Sequence, residues 1–496
     1  MDLLTRRLRT AAALVGPLLF VERARHAHYG ELVRIRLAGA PDRRGQVIDV
    51  SEERALVQVL DDTHGLAPSR AEVELTGEVA TLGVGRALLG RVFDGSGRPL
   101  DGHPAPLAEE ILPIQGSVMN VVRRAKPSEF IETGISAIDG MNTLVRGQKL
   151  PIFSCAGLPV HALAAQIVRH ARVPGGEPFA VVLAAVGAPF RDVDYYLRSF
   201  AESGTLDRTV AFLNRADDPP IERLMTPRCA LTAAEHLAFR HGVQVLVVLS
   251  DMTAYCEALR EVALAREEIP GRRGYPGDLY TDLAGLYERA GRLQDRPGSV
   301  TQLPILTMPD DDITHPIPDL TGYVTEGQIV LSRDLDRKGI FPPIDVLPSL
   351  SRLMNLGIGA GRTRDDHRGL SDQLYAFYAR GCDVRRMAAI IGEAGLGDDE
   401  RRYLRFADRF EAELIHQGGA ARTLGETLGR GWALLEEFPD DALARIPPAI
   451  VARRHEERSH GANGDHTDGI APRPGEPARR GAGSTPPPRE APGPGG

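Results

Sequence analysis

Residues 243–250 read VQVLVVLS and are closed by Asp251. A run this apolar, with no alternation, leaves no face for water. As a strand it must be covered on both sides, and strands of that kind belong to parallel sheets flanked by helices. Two similar candidates precede it, AVVLAAV at 180–186 and TVAFLN at 209–214, separated by helix-like stretches at 193–203 and 232–241. Strands alternating with helices predict a doubly wound α/β core whose ligand edge lies at the C-terminal ends of the strands. Asp251 then stands where a nucleotide-binding sheet presents a carboxylate beside Mg²⁺, although apolar runs ending in Asp occur in any α/β protein.

Upstream, residues 151–170 (PIFSCAGLPVHALAAQIVRH) have the strand–turn–helix outline of a phosphate-binding loop. A working loop, G-x-x-x-x-G-K-[ST], wraps phosphate in backbone N–H groups, adds a lysine and places a hydroxyl on Mg²⁺. With Gly157 as the second glycine, Ile152 stands at the first, Leu158 at the lysine and Pro159 at the hydroxyl, with Ser154, Cys155 and Ala156 between. Leucine cannot neutralise a phosphate, and proline has neither a hydroxyl nor an N–H. A hydrolysing core also needs a Glu after the strand that ends at Gly187, where this chain has Ala188-Pro189-Phe190-Arg191. Taken alone, the segment favours an ordinary strand–turn–helix; in its order with the strands and Asp251, it becomes a nucleotide scaffold stripped of its chemistry.

The remaining chain sorts by periodicity. Short alternating strands at 32–37, 45–50, 55–60 and 71–75 predict a small β-barrel over residues 1–78. The α/β core, opened by the Gly-rich connection at 90–102, is expected over 79–368. Helical periodicity at 371–380, 384–393, 398–417 and 423–437 predicts a helical bundle over 369–451. Residues 452–496, rich in Pro, Gly and Arg, are expected to be disordered. Arginines followed by AAALVGPLLFV at the N-terminus resemble a secretory signal, but Gly16-Pro17 interrupts the run and no small-residue cleavage site closes it.

Composition narrows the function classes. The 496 residues suit about three domains. A net charge of −8 and a single Trp argue against a nucleic-acid surface. Cys155, Cys229, Cys256 and Cys382 are scattered without a C-x-x-C pair and read as reduced thiols. No run approaches the ~20 apolar residues of a membrane span, so any membrane role is expected to be indirect.

Long ordered stretches carry a resemblance. They include GPLLFVE (16–22), FIETGISAIDGMNTLVRGQK (130–149), PGDLYTDLAGLYERAGRL (276–293), the block at 298–333, FPPIDVLPSLSR (341–352) and GIGAGRTRDDH (357–367). From about Gly16 to about Ala452 the chain resembles the B subunits of V-type (archaeal/bacterial A/V-type) rotary ATPases. It departs from them at Cys155-Ala156, where the family has a Ser/Gly-rich turn, and at Ala188-Pro189-Phe190, where polar or acidic residues are usual. The resemblance implies a non-catalytic subunit that alternates with the catalytic A subunit in a ring of three copies each, with a RecA-like central domain. It implies no activity and no tightly held nucleotide of its own, ATP or ADP with Mg²⁺ lying instead at the interface with the A subunit. The implied partners are the A subunit, the central stalk and the peripheral stalks. Residues 17–22 would form a first barrel strand instead of part of a signal. The barrel would join a crown, while the bundle and the turn at 267–274 would face the rotor shaft. The implied location is cytoplasmic, at the inner face of the cell membrane, reached only through the ion-translocating sector.

The resemblance also singles out Arg352, in PSLSRL (348–353), as an arginine supplied in trans to the catalytic site of the adjacent A subunit. A guanidinium forks onto two phosphate oxygens and is always charged; without the resemblance, an interfacial salt bridge would be the simpler assignment. Arg362 and Arg364 are the next candidates. Other polar clusters read as structural. Asp310-Asp311-Asp312 with His315 sits among prolines and suits a loop held by side-chain-to-backbone bonds better than a metal. Gly357-x-Gly359-x-Gly361 lacks dinucleotide spacing, and Asp365-Asp366-His367 is expected at the surface or as a cap. Two other classes compete. An independent hexameric secretion or termination motor would need Lys and Thr at 158 and 159. A stand-alone regulatory nucleotide-binding module would lack a neighbouring gene for a catalytic partner.

Overall fold

The computed structural model describes residues 6–461. Its N-terminal part is an antiparallel seven-stranded sheet, ordered Arg6–Leu8, Glu72–Val79, Glu31–Arg36, Arg43–Val50, Arg54–Val59, Leu18–Glu22 and Ala11–Val15. The two edge strands are consecutive in the chain and joined only by Arg9 and Thr10. Consecutive Cα atoms lie ~3.8 Å apart, so this link spans about 11 Å at most and forces the edges together into a barrel. Val33 and Ile35 point inward with Leu19, Val21, Val57 and Val73 to form its core. The stretch that resembled a signal is a hairpin, Ala11–Val15 against Leu18–Glu22, turning at Gly16 with φ +57°.

The central domain contains β1 (Val92–Asp94), β2 (Ile152–Cys155), α1 (Val160–His170), β3 (Phe179–Ala188), α2 (Phe190–Ser203) and β4 (Thr209–Arg215). It continues with α3 (Pro220–His241), β5 (Gln244–Ser250), α4 (Met252–Ala265), β6 (Ser299–Met308), β7 (Gly327–Leu331) and β8 (Ile344–Ser351). The strand order is β8-β7-β2-β6-β5-β3-β4-β1. The path is parallel apart from β8, which runs antiparallel to β7. Every residue of β5 is buried, as its composition requires. Strand β6 holds Pro304 inside it, although proline is normally confined to sheet edges. Here Pro304 lies opposite Leu249 in the middle of the sheet, and burial of nearly all of β6 outweighs one lost ladder donor.

The C-terminal helices differ from expectation in how they are divided. A single helix, α5 (His367–Ile391), replaces two expected pieces, and it crosses α6 (Asp398–Arg409) at Gly381. A Cβ at Gly381 would lie 2.5 Å from the Tyr403 carbonyl, so only glycine allows this approach. Beyond α6 one π-helical stretch covers Phe410–Ile415, and α7 (Leu424–Leu435) opens with a Thr423–Glu426 capping box. A second compact unit begins at Pro447, where a helix covers Pro448–Gly461. The first residues past Ala452 are therefore helical, contrary to the expected tail boundary; residues 462–496 lie outside those described. None of the four cysteines is paired.

Glu222, in the first turn of α3, is only 6% exposed and accepts from the Gly95 N–H at 3.1 Å. Burial, aided by the charges of Asp94 and Asp218, pushes its pKa up to about 7. A raised carboxyl pKa favours the folded state below the unfolded value and loses that contribution as pH rises through the folded one. Wild-type protein should therefore lose on the order of 2–3 kcal/mol between pH 5 and pH 8 relative to Glu222→Gln. Urea melts of both proteins at the two pH values measure this; an equal gap at both would contradict it.

Candidate functional site

The parallel strands bring the end of β2, the end of β3, Asp251 and the β6–β7 connection to one edge of the sheet, with Cys155 opposite Met308 and Ala185 opposite Ser250. This is the edge where an α/β sheet holds its ligand. The outline of the phosphate loop is preserved: Gly157 adopts φ +82° in open space, and α1 starts directly after Pro159.

Three of the loop's N–H donors, however, are already engaged. The Ala156 N–H donates to Asp311 Oδ1 at 3.3 Å, and Arg333 donates back to the Ala156 carbonyl at 3.0 Å. Arg333 and Asp311 also pair with each other, at 2.7 and 3.1 Å. The Leu158 N–H turns back to the Cys155 carbonyl, the Val160 N–H bonds the Leu158 carbonyl, and Leu158 itself is buried. An aspartate held ionised by Arg333 thus meets an N–H that a working loop turns toward phosphate. Asp310 and Asp311 both adopt positive φ, a conformation that Asp tolerates better than most residues, and this turn aims the carboxylate at the loop. By residue type alone this acidic cluster is no more than a structural loop. Asp312 bonds Thr314 and Arg273, and His315 caps the following helix.

Asp251 lies where the sequence placed it, but its oxygens are bound within the chain. Oδ1 accepts from the Thr253 N–H at 2.7 Å and the Thr307 N–H at 3.2 Å, and Oδ2 accepts from the Thr307 hydroxyl at 2.5 Å. The carboxylate caps α4 and ties it to β6, while burial raises its pKa. Ala188 packs with Val92, Val193, Ala211 and Leu213, so an apolar contact occupies the position of the water-aligning Glu.

Arg352 follows directly on β8, the antiparallel edge strand. Its main-chain N–H donates to the Glu326 carbonyl at 3.0 Å, while its side chain is exposed and meets no carboxylate among the described residues. The segment beneath it is rigid. Gln148 Nε2 donates to the Glu326 carbonyl at 3.1 Å and to Ser351 Oγ at 3.0 Å. Lys149, buried, pairs with Glu288 at 2.6 Å and with Glu326 at 3.0 Å. Gly327, at φ +136°, lets β7 close on β8; a Cβ there would lie 2.0 Å from the Leu350 carbonyl. A cavity of about 360 Å³ beside Leu353 is lined by Arg124, Lys126, Arg292 and Glu326. Of the runner-up arginines, Arg362 is exposed, whereas Arg364 is bound to Asp366. Asp366 also accepts from Trp432 Nε1 at 2.7 Å, and fully buried His367 bonds the Gly140 carbonyl. The surface or capping role expected for Asp366 and His367 is therefore corrected to a buried joint between the central domain and the helices.

Family models agree with this geometry. The ATP synthase alpha/beta family β-barrel domain matches residues 13–77 and its nucleotide-binding domain residues 134–351, while the C-terminal domain of V and A type ATP synthase matches 356–454. The fold and edge thus define an ATP synthase head subunit of the alpha/beta class. The chain is 70% identical over 457 residues to the V-type ATP synthase beta chain of Anaeromyxobacter sp. (strain Fw109-5), covering 92% of this chain and 99% of that one. It is 57% identical to the beta chain of Thermus thermophilus, covering 92% and 98%. The solved ATP synthase subunit NeqB from Nanoarcheaum equitans aligns with a TM-score of 0.69 at 39% identity, over 85% of this chain and all of that one. The chain belongs to the V-type ATP synthase beta chain family, the B subunits of V/A-type ATP synthases.

With three of the loop's donors engaged, Leu158 and Pro159 in place of Lys and a hydroxyl, and Asp251 bound internally, the isolated protein should show no micromolar Mg-ATP binding and no turnover. Calorimetric titration checks this; micromolar binding with hydrolysis would overturn the description of the loop.

Proposed function

We propose that this B subunit is the non-catalytic partner in the head of a V/A-type rotary ATP synthase, and that Arg352 acts in trans on nucleotide held by the catalytic A subunit. The observation that carries the reading is the contrast between two edges of one sheet. At the loop, the Ala156 N–H is bonded to Asp311, the Leu158 and Val160 N–H groups to main-chain carbonyls, and Leu158 fills the lysine's position. At the β8 edge, an exposed guanidinium without a carboxylate partner stands on a backbone clamped by Gln148 and Glu326. A charge held outward on a rigid base suits a neighbour's phosphoryl group, because preorganised donors need little reorganisation as charge develops.

In this reading three A and three B subunits alternate, and ATP or ADP with Mg²⁺ sits between them on the A side. The N-terminal barrel forms part of the crown. The helices after residue 366 and the turn that exposes Ile269 face the central stalk, with peripheral stalks outside. No described helix is long and apolar enough to cross a membrane, so attachment to the inner face of the cell membrane would run through the ion-translocating sector.

Replacing Arg352 by Ala should leave the A·B ring assembled, since one exposed side chain adds little to a large interface. ATP turnover should fall roughly 10³–10⁵-fold, the range for trans-acting arginines. Arg352→Lys should recover little of it, because an ammonium lacks the planar fork. Arg362→Ala should cost far less. Steady-state hydrolysis by size-selected complexes checks this, and near wild-type turnover by assembled Arg352→Ala would contradict it.

A further inference from the structure

At the opposite edge of the central sheet, where the strands begin, α3 ends in two histidines that face one carboxylate. His241 Nε2 lies 2.8 Å, and His236 Nε2 3.4 Å, from the same oxygen, Glu109 Oε2. The three donor atoms all lie within 4.8 Å of one another, and the imidazoles meet edge to face at 5.1 Å. His236 is buried, its side chain 2% exposed, so its ring cannot swing away. Glu109 is fixed from the other side: its N–H donates to the Val84 carbonyl, directly before a strand, Glu110–Pro113, that pairs with Thr81–Val84. Glu110 Oε2 lies 3.9 Å from His236 Nδ1, on the outer side of that ring.

We propose that Glu109, His236 and His241 form a site for a divalent transition metal of imidazole and carboxylate preference, Zn²⁺ foremost. In a tetrahedral Zn²⁺ site with bonds of about 2.0–2.2 Å, ligand atoms stand roughly 3.3–3.6 Å apart, so the three donors need only small shifts to enclose the ion. Water fills the fourth position. The ion takes the place of the two Nε2 protons that face Glu109. Each neutral imidazole moves its proton to Nδ1, and at His236 that proton faces Glu110, a carboxylate–histidine–metal arrangement. The C-terminal end of a long helix carries partial negative charge and adds to the attraction. The bound ion would join the strand at 110–113 to the last turn of α3.

Arg86 is the competitor. Its Nε donates to His241 Nδ1 at 3.1 Å, which holds the His241 proton on Nε2, and its main-chain N–H donates to Glu109 Oε1 at 2.9 Å. Metal binding requires the exposed Arg86 side chain to turn into solvent, so removing that side chain should favour the ion.

The test uses tag-free, chelator-stripped full-length protein titrated with Zn²⁺ by calorimetry and with Co²⁺ by visible absorption. One equivalent per chain should bind, with the intense bands of tetrahedral Co²⁺, and Zn²⁺ should raise the unfolding temperature. Glu109→Gln and His236→Ala should each weaken binding at least tenfold. His241→Ala, a less buried change, does the same if His236→Ala fails to fold. Arg86→Ala should tighten binding severalfold. Absence of Zn²⁺ binding would overturn the proposal. So would equal affinity in wild type, Glu109→Gln and His241→Ala, because the ion would then be held elsewhere, or weaker binding in Arg86→Ala.

Discussion

Two-sided burial of β5 is the constraint on which the central domain rests. A strand with no face for water must sit inside a parallel sheet, between β3 and β6 and beneath helices on both sides. Parallel strands in turn collect the loops that follow them at one edge. That geometry brings Cys155–Pro159, Ala188, Asp251 and Asp311 together, although they are far apart in the chain. Burial of β6 is strong enough to hold Pro304 in mid-sheet, which shows how far packing outweighs local propensity in this core.

The nucleotide edge has been rebuilt rather than lost. Three main-chain N–H groups of the loop have internal partners: Asp311 for Ala156, Cys155 for Leu158 and Leu158 for Val160. Thr253 and Thr307 take the place that Mg²⁺ would have at Asp251. These internal bonds keep the outline of a nucleotide-binding domain. In the proposed alternating ring that shape would also serve as a wall for the neighbouring subunit. The β8 edge carries Arg352, whose main-chain N–H is bonded to Glu326 and whose side chain is exposed, the residue proposed to act in trans.

Much of this was legible in the sequence because it depends on residue type. Alternation in 32–37 marks a barrel strand, found at Glu31–Arg36, and β-branched runs mark the buried sheet. What was not legible depends on contacts between distant segments. Asp311 reaches the loop through a left-handed turn and an ion pair with Arg333, and nothing in 309–312 announces that partner. Asp366 and His367 resembled surface residues because their type is polar; Trp432 and the Gly140 carbonyl make them a buried joint. Gly381, which lies between the two expected helices, allows α6 to approach α5 closely, a role visible only once Tyr403 lies against it.

The central claim is that nucleotide in the assembled head belongs to the catalytic partner and that this chain lends it only an arginine. Native mass spectrometry of the purified A·B ring in excess Mg-ATP, counting retained nucleotides, tests it most directly. The account gives occupancies of up to three nucleotides per ring of three A and three B subunits. Rings that retain six, with nucleotide crosslinking to residues 154–159 of this chain, would contradict it.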